Sequence, residues 1–315
     1  MNKPIKTVFV GTPEFAVPFL EGLFNDGNFS INGVITQPDK PVGRKQELTA
    51  SPIKLSAEKH GITAWQPEKL RDNPDILEEL KLVGADLLVV VAYGQILSQA
   101  ILDLFPLGAI NVHPSLLPKY RGASPIQSAI LNEEEKTGIS IMLMDEKMDH
   151  GPILAQEELV LGGDETTESL HDLAAIKGVP LLVKTIKDFV DKKISAIPQN
   201  DAEATFCRTI TKEEARINWS NSAKKISAQI RGFYPWPIAW TMLDGKRLKI
   251  LPPIKVVKNE NKAPSGSITV DEGKIKIQCG QEAIEVNKLQ LEGKSVMGSK
   301  EMINGIKNLA EKTLE

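Results

Sequence analysis

Asn111, His113 and Asp149 are the residues of this chain whose types and spacing suit chemistry. The first two stand in Asn111-Val112-His113-Pro114-Ser115-Leu116-Leu117-Pro118, the third in Met148-Asp149-His150-Gly151-Pro152. Gly108, Ala109 and Ile110 read as the end of a short apolar strand, and strand alternation then turns Asn111 and His113 to one side and Val112 to the other. The carboxyl end of a strand is where open α/β sheets place their chemistry. An amide and an imidazole can both donate to a carbonyl oxygen that becomes an oxyanion. A nearby carboxylate can fix the imidazole's protonation and accept a proton, directly or through water. No nucleophilic residue is needed: the set suits attack by a substrate amine on an activated one-carbon carbonyl. Taken singly, each residue also has a local explanation, since Asn, His and an Asp-x-Gly sequence all favour turns.

The elements that must position these groups follow from periodicity. With 315 residues, 41% of them apolar, the chain is long enough for two domains with ordinary cores. Residues 8–10, 31–36, 86–91 and 109–112 read as strands, with 62–65 as another short one. Helices fit 14–24, 52–60, 74–82 and 124–131, with a further strand at 138–144. The run Leu87-Leu88-Val89-Val90-Val91 is continuously apolar, as a strand buried on both faces should be. The expected fold class is α/β: a Rossmann-like, doubly wound, mostly parallel sheet with right-handed crossovers, closed by a helix over 166–190. Residues 191–207 lack periodicity and read as a linker. From 208 to 315 the pattern changes to short strands at 240–243, 248–251, 266–270, 274–278 and 283–286 and one helix at 223–231, predicting a small OB-like β-barrel.

The first turn, Gly11-Thr12-Pro13-Glu14-Phe15, is not G-x-G-x-x-G, so a nicotinamide cofactor is disfavoured; Thr12 and Pro13 are expected to cap and start the helix. A phosphate-binding G-x-x-x-x-G-K-[ST] loop is also missing from the sequence. His60 is expected to favour a helix C-terminus, and His171 has no expected role.

The motifs at 111–118, Tyr120-Arg121-Gly122 and Asp149-x-Gly151-Pro152 resemble the signature of the folate-dependent formyltransferases, which move a formyl group from 10-formyltetrahydrofolate to an amine. The resemblance implies that Asn111, His113 and Asp149 are the catalytic trio and that Ser115, Leu116, Leu117 and Pro118 help form the folate-side wall. Tyr93 and Gly94, after the most apolar strand, are expected to let a flat pterin ring approach the backbone, although a plain strand-to-helix turn accounts for Gly94 equally well. The chemistry calls for no metal. His150 departs from the small residue typical of that position: it either perturbs the proton relay beside Asp149 or points to solvent, and the second is the expectation; Asp145 fits the motif less well than Asp149.

Residues 37–50 are polar and broken by Pro and Gly, which predicts an irregular, mobile surface loop. Within and around it, Thr36-Gln37-Pro38-Asp39, Gly43-Arg44 and Ser51-Pro52-Ile53-Lys54 match those members of the family that formylate initiator methionyl-tRNA; so do Arg231 to Trp240 and Leu291-Glu292-Gly293-Lys294. The match implies that the loop reaches the tRNA acceptor stem through Arg44, with Lys45 beside it, although Gln46 and Glu47 weaken the local positive field. Charge points the same way. The chain is net −3, yet residues 208–262 hold 12 Lys or Arg against 4 Asp or Glu. Lys224, Lys225, Arg231, Lys246, Arg247 and Lys249 are the nominated phosphate contacts.

No signal peptide or membrane-spanning run is apparent, and the two cysteines, Cys207 and Cys279, lack metal-ligand spacing and are expected to be reduced thiols. The expectation is a cytoplasmic, monomeric enzyme whose partners are initiator methionyl-tRNA and 10-formyltetrahydrofolate, with no membrane association. Two other readings remain: a formyltransferase acting on a nucleotide-linked amino sugar, and a non-catalytic RNA-binding protein.

Overall fold

The computed structural model describes residues 3–42, 46–258 and 263–315. The chain divides into two compact units: Met1–Pro125, Thr137–Leu159 and His171–Cys207 form the first, and Ile126–Lys136, Val160–Leu170 and Arg208–Glu315 the second. Among the described residues, no helix is long and apolar enough to cross a membrane.

In the first half of the chain the strands are β1 (Ile5–Gly11), β2 (Phe29–Ile35), β3 (Lys40–Val42), β4 (Glu47–Thr49), β5 (Ala64–Trp65), β6 (Leu87–Val91), β7 (Ala109–His113), β8 (Arg121–Gly122), β9 (Lys136–Leu143) and β10 (Ile153–Val160), with β11 (Phe206–Cys207) further on. Seven of them form one sheet in the order β10-β9-β7-β6-β1-β2-β5. Neighbours from β5 to β7 run parallel, and β9 is antiparallel to β7. Every residue of β6 is buried, and each such side chain contributes about 1.5–3 kcal/mol by leaving water.

Helix boundaries follow local chemistry. Helix α1 spans Val17–Asn25. In α2 (Pro52–Lys59) the Ser51 hydroxyl accepts from the Lys54 N–H at 3.1 Å. In α3 (Pro74–Val83) Asn73 caps Ile76, Pro74 occupies the first turn, and Gly84 ends the helix at φ 55°. The first turn departs from expectation. A 3-10 turn, Glu14–Ala16, precedes α1, and Thr12 does not cap it: its hydroxyl accepts the Gln37 N–H at 3.3 Å. Gly11 is required by close approach, since a Cβ there would lie 2.8 Å from both Ala16 Cβ and the Val91 carbonyl.

Two further differences concern strands. The segment after β2, expected to be irregular, contains a hairpin in which β3 pairs antiparallel with β4. Arg44 and Lys45 lie outside the described residues. Strand β10 was not expected, because its sequence, ILAQEELV, carries too many polar residues to stand out as a run.

The second unit holds the helix α4 (Ala223–Gly232) and an antiparallel sheet of β12 (Trp240–Leu243), β13 (Lys246–Val257), β14 (Ile268–Asp271), β15 (Lys274–Gln278) and β16 (Ala283–Leu291), ordered β12-β13-β16-β15-β14, with β17 (Met297–Gly298) pairing β16. Asp244-Gly245 and Glu272-Gly273 turn with positive φ at both residues, matching the right-handed twist of a hairpin. Pairing of β13 with β16 shifts register between Leu251 and Ile254, where Pro252 and Pro253 have no N–H to offer. The sheet curls into a half-barrel around Ile226, Ile230, Leu248, Ile250, Ile277 and Ile284.

Candidate active site

Strand β7 carries Asn111 and His113 into the sheet's interior, pairing Asn111 with Val90 on one side and His113 with Ser140 on the other. Both are buried, at 8% and 5% exposure. The His113 Nε2 lies 2.8 Å from the Tyr120 carbonyl. A carbonyl only accepts, so Nε2 carries a proton and Nδ1 is the nitrogen turned toward Asp149, 3.6 Å from its Oδ1. Asn111 Nδ2 approaches the same oxygen at 3.5 Å. Both distances are long for hydrogen bonds, so an amide donor and an imidazole nitrogen face one carboxylate oxygen across a narrow gap. The other oxygen is firmly held, Oδ2 accepting the Gly122 N–H at 2.8 Å.

Backbone strain gathers here. Tyr120 and Asp149 adopt φ of 59° and 50°, and Gly122 lies at φ 120°. A Cβ on Gly122 would come 2.1 Å from the Cys207 carbonyl, because β8 pairs with β11, and one on Gly151 would come 1.8 Å from the Leu143 carbonyl. Non-glycine residues at positive φ persist where surrounding contacts over-determine them, as they do at functional sites.

The segment 115–118 is rigidly braced. Ser115 donates to the Lys119 carbonyl at 2.6 Å, Ser140 accepts the Leu117 N–H and donates to the Ser115 carbonyl, and Gln156 donates to the Leu117 carbonyl. Tyr93 is buried in the apolar core, where burial pushes its hydroxyl up to about 12. Gln37 donates to its carbonyl at 2.8 Å. Gly94 is exposed at φ 80°, with only Gln37 Nε2 near the position of a Cβ. The turn thus exposes backbone at Gly94, while the Tyr93 ring is buried.

His150 does not point to solvent. Its Nδ1 is 2.6 Å from Asp145 Oδ2 and its Nε2 3.3 Å from Asp201 Oδ2, with the side chain 29% exposed. Three residues without an expected role join it: Arg121, 3% exposed, reaches Asp201 and Gln199, and Gln199 in turn binds the backbone around Asp149. The hydrogen bonds from Arg121 and His150 hold the Asp201 carboxyl below its usual range. The motif Tyr120-Arg121-Gly122 was the signal available for Arg121. Gln199 and Asp201 stand in an aperiodic stretch and gave none. His60 stacks on Phe24 and meets Glu21, and His171 packs against Phe15.

Within the second unit the nominated cations separate into two groups. Lys224 pairs with Glu133 at 3.0 Å, Lys225 donates to the Leu131 carbonyl, and Arg231 donates to the Glu165 carbonyl at 2.8 Å, with burial lowering its pKa. Lys246 and Arg247 are exposed and Lys249 half-buried. The Arg247 guanidinium lies 4.1 Å from the Trp240 ring centre and Arg216 lies 5.7 Å from it. A cavity of about 430 Å³ beside Arg216, Asn218, Trp219, Ser265 and Glu315 contains none of the 111–149 residues.

Two family models match the chain: formyl transferase over residues 5–186 and formyl transferase, C-terminal domain, over 209–307. The methionyl-tRNA formyltransferase of Halalkalibacterium halodurans is 45% identical over 302 residues, covering 96% of this chain and 95% of that protein. That of Caldanaerobacter subterraneus is 42% identical over 310 residues, 98% and 99% of the two chains. Among solved structures, the sugar 3N-formyl transferase WlaRD aligns with TM-score 0.65 at 20% identity over 93% of this chain and 100% of its own. HypX from Aquifex aeolicus with tetrahydrofolic acid aligns with TM-score 0.62 at 13% identity over 96% of this chain, which spans about half of HypX (47%). At these identities the structural likeness is one of fold.

Proposed function

The chain belongs to the formyl transferase family, and from that premise we propose that it transfers the formyl group of 10-formyltetrahydrofolate to the α-amine of methionine carried by initiator tRNA. The observation that carries the reading is the convergence of Asn111 Nδ2 and His113 Nδ1 on Asp149 Oδ1, with Oδ2 anchored by Gly122. The amine attacks the formyl carbon, forming the new C–N bond. Asn111 donates to the oxyanion that develops on the formyl oxygen, and His113, whose Nε2 proton is held by the Tyr120 carbonyl, adds a second donor when Nδ1 is protonated as well. Asp149 orients His113 and takes up the proton that the attacking nitrogen releases as the C–N bond forms, directly or through water, and that proton passes to N10 of the folate as the bond from the formyl carbon to N10 breaks. Tyr93 and Gly94 offer backbone to the pterin, and the braced segment Ser115, Leu116, Leu117 and Pro118 forms the wall beside it.

The tRNA contacts we assign are Arg44 and Lys45 toward the acceptor stem, and Lys246, Arg247 and Lys249 toward phosphates, with Lys224, Lys225 and Arg231 shaping that surface from within the same unit. In this division residues 1–190, with 191–207 packed against Arg121 and Asp149, carry the transfer, and 208–315 hold the tRNA. The chain acts as a monomer. Offering 10-formyltetrahydrofolate with charged initiator methionyl-tRNA, charged elongator methionyl-tRNA and an amino-sugar nucleotide in parallel tests the reading. Formylation confined to the initiator tRNA is expected, and turnover of the sugar alone would overturn the tRNA assignment.

A further inference from the structure

Asp149 stands in a left-handed conformation beside the exposed Met148, so apolar packing does little to fix it. A single side-chain amide does so instead. Gln199 Nε2 donates to the carbonyls of both Asp149, at 2.9 Å, and Gly151, at 2.8 Å. Its Oε1 accepts Nε and Nη2 of Arg121 at 3.0 and 2.8 Å. Arg121 is followed by Gly122, whose N–H holds the Asp149 carboxylate. The contacts therefore close a ring from Arg121 through Gly122 and Asp149 to Gln199 and back. Asp201 and His150 brace it from outside, Asp201 accepting from Arg121 at 2.8 Å and His150 bridging Asp201 and Asp145.

We propose that Gln199 is a positioning residue for formyl transfer: it fixes the backbone carbonyls of Asp149 and Gly151 and so aims the carboxylate at Asn111 and His113. The proposal rests on the reaction proposed above. The chemistry of the ring requires an amide in one orientation. Arg121 has only donors and the two carbonyls only accept, so one end of residue 199 must accept twice and the other donate twice. A carboxylate would satisfy Arg121 but meet both carbonyls with lone pairs. Catalytic groups need support within about 0.5 Å of productive geometry, and a misplacement of about 1 Å costs on the order of a hundredfold in rate.

Gln199→Glu and Gln199→Ala, made in the full chain, test this through kcat, the KM for each substrate and the exchange rate of the Gly122 amide. Both variants are expected to lower kcat by about tenfold or more, to leave both KM values within about twofold, and to speed Gly122 exchange. Should the Ala variant fold poorly, the Glu variant, which keeps the Arg121 contacts, carries the test. A kcat within about twofold of the parent, a KM rise matching the kcat loss, or unchanged Gly122 exchange each overturns the proposal. If the parent chain transfers no formyl group, the reaction reading fails, and Gly122 exchange still decides whether Gln199 holds Asp149.

Discussion

The Gly122 N–H donates to the Asp149 carboxylate at 2.8 Å across 27 residues of sequence. One oxygen is thereby immobilised while the other faces Asn111 and His113. The carboxylate is thus set by backbone on one side and left open to the Asn111 and His113 side chains on the other.

His113→Ala and Asn111→Ala should each lower kcat by about 10²–10³, the usual cost of losing one oxyanion donor. Affinity for the tRNA should hold, because neither residue belongs to the nominated basic surface. Single-turnover kinetics alongside equilibrium binding separate the two quantities. A loss of less than about threefold in both variants would remove these residues from the mechanism.

Gly122→Ala should destabilise the fold by about 2 kcal/mol or more, since it forces a side chain into φ 120° and against the Cys207 carbonyl. Urea denaturation gives the number. Gly245→Ala, at φ 73° in open space, controls for backbone strain without the clash. Equal losses in the two variants would mean that the β8–β11 approach is not tight.

His171 makes stability depend on pH. Burial lowers its pKa from the ordinary 6.5, and nearby Asp172 and Glu14 offset this only in part. The folded state therefore favours the neutral ring. Above about pH 6.5 neither state is protonated at this site and it has no effect. As pH falls below that value the unfolded chain takes up a proton that the folded chain resists, so stability declines until the folded-state value is passed. His171→Phe, which keeps an aromatic ring against Phe15, should flatten this part of the Tm–pH curve. An unchanged acid limb would show that another group is responsible.

Arg44→Ala should raise KM for the tRNA much more than for the folate, and equal effects on both would refute its assignment. In the second unit, Arg247→Ala should reduce the slope of log affinity against log salt by about 0.7–0.9, as expected for one lost phosphate contact. Arg231→Ala should leave that slope unchanged and lower Tm, since its guanidinium is engaged by the Glu165 carbonyl. A reversal of these two results would exchange their roles.

Strand alternation was enough to place Asn111 and His113 together, and the continuously apolar 87–91 run announced the sheet's central strand. Asp149 became legible only through its motif, because nothing local to Met148-Asp149-His150 records a partner at Gly122. Gln199 was illegible for a related reason. It recognises backbone carbonyls, which every residue possesses, so no complementary residue type marks the contact. His150 was misread because its two carboxylate neighbours, Asp145 and Asp201, lie on different segments. The basic residues show the limit of charge counting: Lys224, Lys225 and Arg231 contribute to the same positive stretch as Lys246 and Arg247, yet make contacts inside their own unit.

The pairing of β11 with β8 bears on how the protein can be dissected. A fragment cut at Val190, where the long helix over Thr167–Val190 ends, looks complete by periodicity but lacks Gln199, Asp201 and the Cys207 carbonyl. Its Arg121 guanidinium would lose Gln199 and Asp201 as acceptors, and its Asp149 and Gly151 carbonyls would lose the Gln199 amide. The first compact unit ends at Cys207, and a truncation series or a domain fusion should place its junction after that residue.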